Sequence, residues 1–140
     1  MPAHKDHQPE QARLKESDLN LLPISELDRM AFGVTSGDRI EVSPDELHIA
    51  YPGDLENPRH AYAMGGDAWL KSVSLEEPIE VSIDQQGRKV LENGHHRYLA
   101  ASLLGKKLQA IVDVKGNPIR FLLSRQKLRS IQRDMAEASL

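Results

Sequence analysis

The chain has 140 residues, a net charge of −3 and no cysteine, which suits a single domain and excludes disulfides, thiolate chemistry and Cys-ligated metals. No apolar run approaches the roughly 20 residues that span a bilayer. The opening MPAHKDHQPEQARLKESD lacks an apolar signal core, so a cytoplasmic protein with no membrane partner is expected. Charge is unevenly spread: through Gly87 there are 7 Lys and Arg against 17 Asp and Glu, and from Arg88 onward 11 against 4. Such a split lets two halves neutralise each other across one fold, or offers the basic half to an anionic partner.

In chain order, residues 1–18 are polar and aperiodic and read as a mobile tail, with His4 and His7 too isolated for a defined metal site. Leu21–Leu27 reads as a short edge strand, where Pro23 is tolerated. Arg39–Val42 and Leu47–Tyr51 alternate on either side of Ser43-Pro44-Asp45-Glu46, a hairpin signal. Pro52-Gly53-Asp54 and Asn57-Pro58 punctuate a loop. Arg59–Met64 is a helical turn ended by Gly65-Gly66, and Asp67 starts a short helix in which Trp69, the only tryptophan, is a core anchor. Pro78–Ile83 is a strand, turned at Asp84–Gly87 and paired antiparallel with Arg88–Glu92. Gln109–Val114 is a further strand. Ile119–Ser139 is a helix with Phe121, Leu128, Ile131, Met135 and Ala138 along one seam. Arg120, Arg125, Lys127, Arg129 and Arg133 crowd the same helix. They form a solvated basic face, or a surface for a second copy or for nucleic acid.

The most informative stretch runs from Val90 to Gly105. It is the end of a strand, a turn at Asn93-Gly94 where both residues tolerate positive φ, and a helix closed by Gly105. A helix start ordinarily carries Asp or Glu against its free N–H groups and positive dipole end. Here His95, His96 and Arg97 stand there instead, which suits an anion arriving from outside, a phosphate being the simplest. The competing reading pairs Arg97 with a carboxylate and gives the histidines loop carbonyls.

The blocks Leu22–Leu27, Trp69–Val73, Glu77–Val81 and Gly94–Ala101 with Leu104-Gly105 occur in an order and spacing that resemble the ParB N-terminal/sulfiredoxin superfamily, over roughly residues 20–114. The resemblance implies a small mixed α/β (α+β) domain at 19–117 with a strand–turn–helix phosphate-binding motif; the basic amphipathic helix, at 118–140, follows from its own spacing and charge and lies beyond it. It implies binding of a nucleoside tri- or diphosphate (ATP, ADP or CTP) with Mg2+. The phosphates would sit at Gly94, His95, His96 and Arg97, with Ser72 on the helix along the nucleotide.

The branches of that family differ in chemistry. Sulfiredoxins carry a cysteine where His95 stands, so their reductase activity is excluded. Chromosome-partitioning ParB proteins add a helix-turn-helix domain, for which the roughly 25 residues after the last strand are too few. No carboxylate cluster suggests a two-metal nuclease site. The turn is similar to that of free-serine kinases, which places His95 and His96 as candidate catalytic groups stabilising a transferring phosphoryl. That branch has an aspartate where Asn93 stands, and an upstream glutamate base for which Glu41, Glu46 and Glu56 are candidates. Two readings therefore stand: a small-molecule phosphotransferase, and a non-catalytic nucleotide-sensing or DNA-associated module. The second would use the basic helix for DNA or for a homodimer.

Overall fold

A computed structural model describes residues 13–138; His4, His7 and most of the expected tail lie outside the described residues. Within the stretch expected as tail, Leu14 is tied to helix α5 (Pro118–Ala138). The main chain of Leu14 exchanges two hydrogen bonds with the Gln126 amide at 2.7 and 3.3 Å, and Leu19, at the end of helix α1 (Glu16–Leu19), is buried.

Residues 21–27 are not a strand. Pro23 has φ −59° and directly precedes helix α2 (Ile24–Phe32), which Gly33 closes in the left-handed conformation. Proline suits a helix start because an N–H there has no intrahelical acceptor to lose. Leu27 and Asp28 turn inward from α2. The hairpin expected at 39–51 is not formed either. Strands β1 (Arg39–Val42) and β2 (Leu47–His48) lie at opposite edges of one five-stranded sheet ordered β1-β5-β3-β4-β2, with β3 at Ile79–Ile83, β4 at Lys89–Asn93 and β5 at Leu108–Val114. Between them Pro44–Glu46 makes a tight helical turn, with the Ser43 N–H donating to Glu46 Oε1 at 2.8 Å. This capping arrangement redirects the chain instead of reversing it.

The centre follows the sequence reading closely. Strand β3 (Ile79–Ile83) pairs antiparallel with β4 (Lys89–Asn93) and parallel with β5 (Leu108–Val114). Helix α4 (His95–Leu104) carries the chain from β4 across β3 to β5. Alternation decides the faces. Ile79, Val81, Leu91, Leu108 and Ala110 join Val42, Leu47 and the buried Ala101 of α4 in the core, while Glu80, Glu92, Ile111 and Asp113 face solvent.

At one end of the sheet, Phe32 of α2 packs on Phe121 of helix α5 (Pro118–Ala138), ring centroids 4.8 Å apart. Asp84 holds the β3–β4 turn, accepting from the Gln86 and Arg88 N–H groups and from Arg88 Nε at 2.7 Å. Partial burial raises the Asp84 pKa, but these bonds outweigh it and leave it lowered. Beyond Phe121, Leu128 and Ile131 of the expected α5 seam are 54% and 46% exposed among the described residues. Arg125 lies over the Phe121 ring at 5.3 Å.

Gly116 marks the tightest junction of this end. A Cβ there would lie 2.5 Å from the Asp84 carbonyl oxygen and 2.9 Å from Phe32 Cζ. Gly116→Ala is expected to cost about 1–3 kcal/mol through overpacking. The melting temperature should fall by several degrees, and an unchanged value would contradict this packing.

Candidate functional site

The N-terminus of α4 is built by a steric constraint. Gly94 has φ 103°, and a Cβ on it would sit 2.5 Å from Ile79 Cγ2 and 3.4 Å from Ile79 Cα. Glycine is required twice, for the left-handed backbone and for the contact with β3. Asn93 does not share the positive φ and stays in β4. With no side chain at Gly94, nothing caps α4, and no acidic residue lies in its first turn. The amides of His95, His96 and Arg97 precede the first residue whose N–H can reach back to Gly94, namely Tyr98, bonded at 2.8 Å. The turn therefore presents donors and a positive dipole end with no built-in anion.

The three side chains diverge, as consecutive residues of a helix must at about 100° per residue. His95 turns inward toward the tight turn Pro52–Leu55. Its Nε2 is buried, has no hydrogen-bond partner among the described residues and lies 3.7 Å from Asp54 Oδ2. His96 is exposed, its ring centroid 6.1 Å from that of Trp69. Arg97 donates from Nη1 to the Pro78 carbonyl at 3.0 Å and lies 3.6 Å from Glu77 Oε2. Arg97 thus has the carbonyl and carboxylate partners of the competing reading. Its charge remains at the helix start.

Ser72 is exposed at the end of helix α3 (Glu56–Ser72), its hydroxyl donating to the Trp69 carbonyl at 2.7 Å. That bond closes the last turn of its own helix. Trp69 is half-buried and is not a core residue, in contrast to the expectation. The break expected near Gly65-Gly66 is a kink within α3.

The glutamates expected as bases separate clearly. Glu41 is 3.8 Å from Lys107, beyond the C-terminal end of α4. Glu46 binds the Ser43 N–H, which lowers its pKa in spite of slight burial, and it reaches Lys89 at 3.4 Å. Ser43, Pro44 and Asp45 share a cleft with Ser102, Gly105 and Lys106, so Glu46's turn also lies at the far end of α4. Only Glu56 begins next to the turn that faces His95. The carboxylate that does face it, Asp54, was read in the sequence as loop punctuation. No local pattern marks it, because a contact across 41 residues comes from the fold.

Asn93 has a structural explanation. Its Nδ2 donates to Glu80 Oε2 at 2.7 Å where β3 and β4 shift register. Beside it, the Ser82 hydroxyl and then Lys115 hold the Glu92 carboxyl below the ordinary carboxylate range. Among the described residues no group of three or more His, Cys, Asp or Glu side chains could hold a metal ion. A magnesium ion would therefore depend chiefly on phosphate oxygens and water.

No family model matches the chain, and no curated protein matches it. Solved structures are similar. Sulfiredoxin from Arabidopsis thaliana is 18% identical, over 64% of this chain and 96% of that one, with a TM-score of 0.44. The C-terminally truncated chromosome-partitioning protein ParB from Caulobacter crescentus, complexed with CTP-gamma-S, is 20% identical, over 69% of this chain and 54% of that one, with a TM-score of 0.36.

Asn93→Asp, which restores the aspartate of the kinase-like turn, would set two carboxylates against each other at Glu80. A stability loss of about 1 kcal/mol is expected at pH 7. It should shrink as pH falls through the carboxylate range and protonation relieves the repulsion. Thermal unfolding at pH 7 and pH 4 checks this, and an equal deficit at both would contradict it.

Proposed function

We propose that this chain is a nucleotide-binding protein whose ligand seats its phosphates on the amides at the start of α4. One observation carries the reading: an uncapped, acid-free helix N-terminus is flanked by a buried imidazole nitrogen, His95 Nε2, that has no hydrogen-bond partner. Helix N–H groups and the dipole favour a phosphate, and the His95 imidazole adds a ring N–H donor beside them. Arg97, anchored on Pro78, contributes a nearby positive charge. The resemblance of the Gly94–Ala101 block points the same way.

Phosphotransfer to a small hydroxyl is the catalytic form of this reading. In that form His95 stabilises the charge that develops on the transferred group, and Asp54, 3.7 Å away, orients its ring. His96 points toward Trp69 and takes no part in the transfer. The alternative is a binding module without turnover, and the placement of Glu41 and Glu46 at the other end of α4 favours it. In that reading Arg120, Lys127, Arg129 and Arg133, all exposed on α5, meet DNA or a second copy.

Thermal-shift titration with ATP, ADP and CTP, with and without Mg2+, tests the proposal. A ligand at a hundred times its Kd stabilises the native state by about 2.7 kcal/mol, a rise of roughly 5–10 °C for a chain of this size. His95→Ala and Arg97→Ala should remove most of it. No shift with any of the three nucleotides would refute the proposal. Assay of phosphate transfer then separates kinase from sensor, and salt-sensitive DNA binding identifies the α5 role.

A further inference from the structure

Helix α3 is bent where no other residue would bend it. Gly66 has φ 56° and ψ −137°, a region that L side chains rarely enter. Its neighbour Gly65 has no room for a side chain, since a Cβ there would lie 2.7 Å from Trp69 Cβ. The two glycines serve one result. Tyr62 and Trp69 are seven residues apart, about 10 Å of rise in a straight helix, yet their ring centroids are 6.1 Å apart across the kink. The His96 centroid is also 6.1 Å from that of Trp69, and both neighbouring rings are tilted to the indole, at 58° and 53°, and not stacked on it. His96 is the second residue of α4, so this row of rings begins at the proposed phosphate seat.

The row is not part of the core. Tyr62 and Trp69 are half-buried and His96 is exposed, whereas the core cluster consists of aliphatic residues of the sheet, α4 and the segment around β2. A large indole held partly open by a pair of obligatory glycines is a surface on which another flat ring can lie.

We propose that Trp69, flanked by Tyr62 and His96, is the stacking platform for the base of the bound nucleotide. The ligand is then a nucleoside polyphosphate, and not an inorganic polyphosphate or a sugar phosphate. The inference rests on the phosphate seat proposed above and adds its second half. Stacking on an indole is tolerant of base identity because every base has a π-face. The platform therefore predicts modest discrimination between ATP and CTP and strong discrimination against ligands with no base.

Trp69 is the only tryptophan, so its emission reports on this surface alone. The full chain is titrated with ATP, CTP and inorganic tripolyphosphate, following tryptophan emission and, separately, heat of binding. Both nucleotides should change the emission and bind at least roughly ten-fold more tightly than tripolyphosphate, which should leave the emission nearly constant. Trp69→Ala should lose that advantage while keeping its tripolyphosphate affinity, which also shows that the variant is folded; Trp69→Phe should retain most of it. If tripolyphosphate binds as tightly as ATP and neither nucleotide alters the emission, the platform is refuted and the phosphate seat stands. If none of the three binds, the seat itself is refuted and the platform with it. Should the alanine variant fail to fold, the wild-type comparison alone decides.

Discussion

The close approach of α4 to β3 is the constraint on which the rest of the structure depends. Gly94 lies so near Ile79 that any side chain would collide with it. Ile79 is fully buried at the centre of the core cluster. The start of α4 is therefore fixed by the best-packed part of the molecule, not by a loop. The same glycine denies the helix a capping side chain, so one residue both positions the donors and leaves them without an internal acceptor. In the proposed phosphate seat, donors held this way would need little reorganisation when an anion arrives, which favours affinity.

From that point the geometry distributes work among three adjacent residues. A helix cannot aim His95, His96 and Arg97 at one atom. His95 goes inward to Asp54, His96 outward to Trp69, and Arg97 back to the loop before β3. One side of the turn thus holds an imidazole facing a carboxylate, the other an aromatic surface, and the third an anchor for the loop. A ligand with phosphates at one end and a flat ring at the other matches this arrangement better than a bare anion does.

Much of this was legible in the sequence, and the losses have physical causes. The β3–β4 hairpin, α4 and β5 follow from alternation, helical spacing and the glycines at 94 and 105, all local signals. The segment from 21 to 51 misleads because its signals are weak or shared. Leu22-Pro23-Ile24 fits an edge strand as well as a helix start, and the two short strands β1 and β2 alternate like a hairpin although each pairs elsewhere. Sheet order is decided by non-local pairing, which alternation does not encode. At the site, the Gly94–Arg97 turn stood out by its charge pattern. Asp54, the Pro78 carbonyl and the meeting of Trp69 with His96 became visible only through contacts between distant segments.

The central claim is that the free amides at the start of α4 hold the phosphates. Backbone amide chemical shifts in a 15N-labelled sample titrated with ATP test it most directly. The account predicts that the largest changes fall on His95, His96 and Arg97, with smaller ones on the Asp54 turn. Changes confined to the basic face of α5, with the 94–97 amides unmoved, would contradict it and place the anion site on the C-terminal helix.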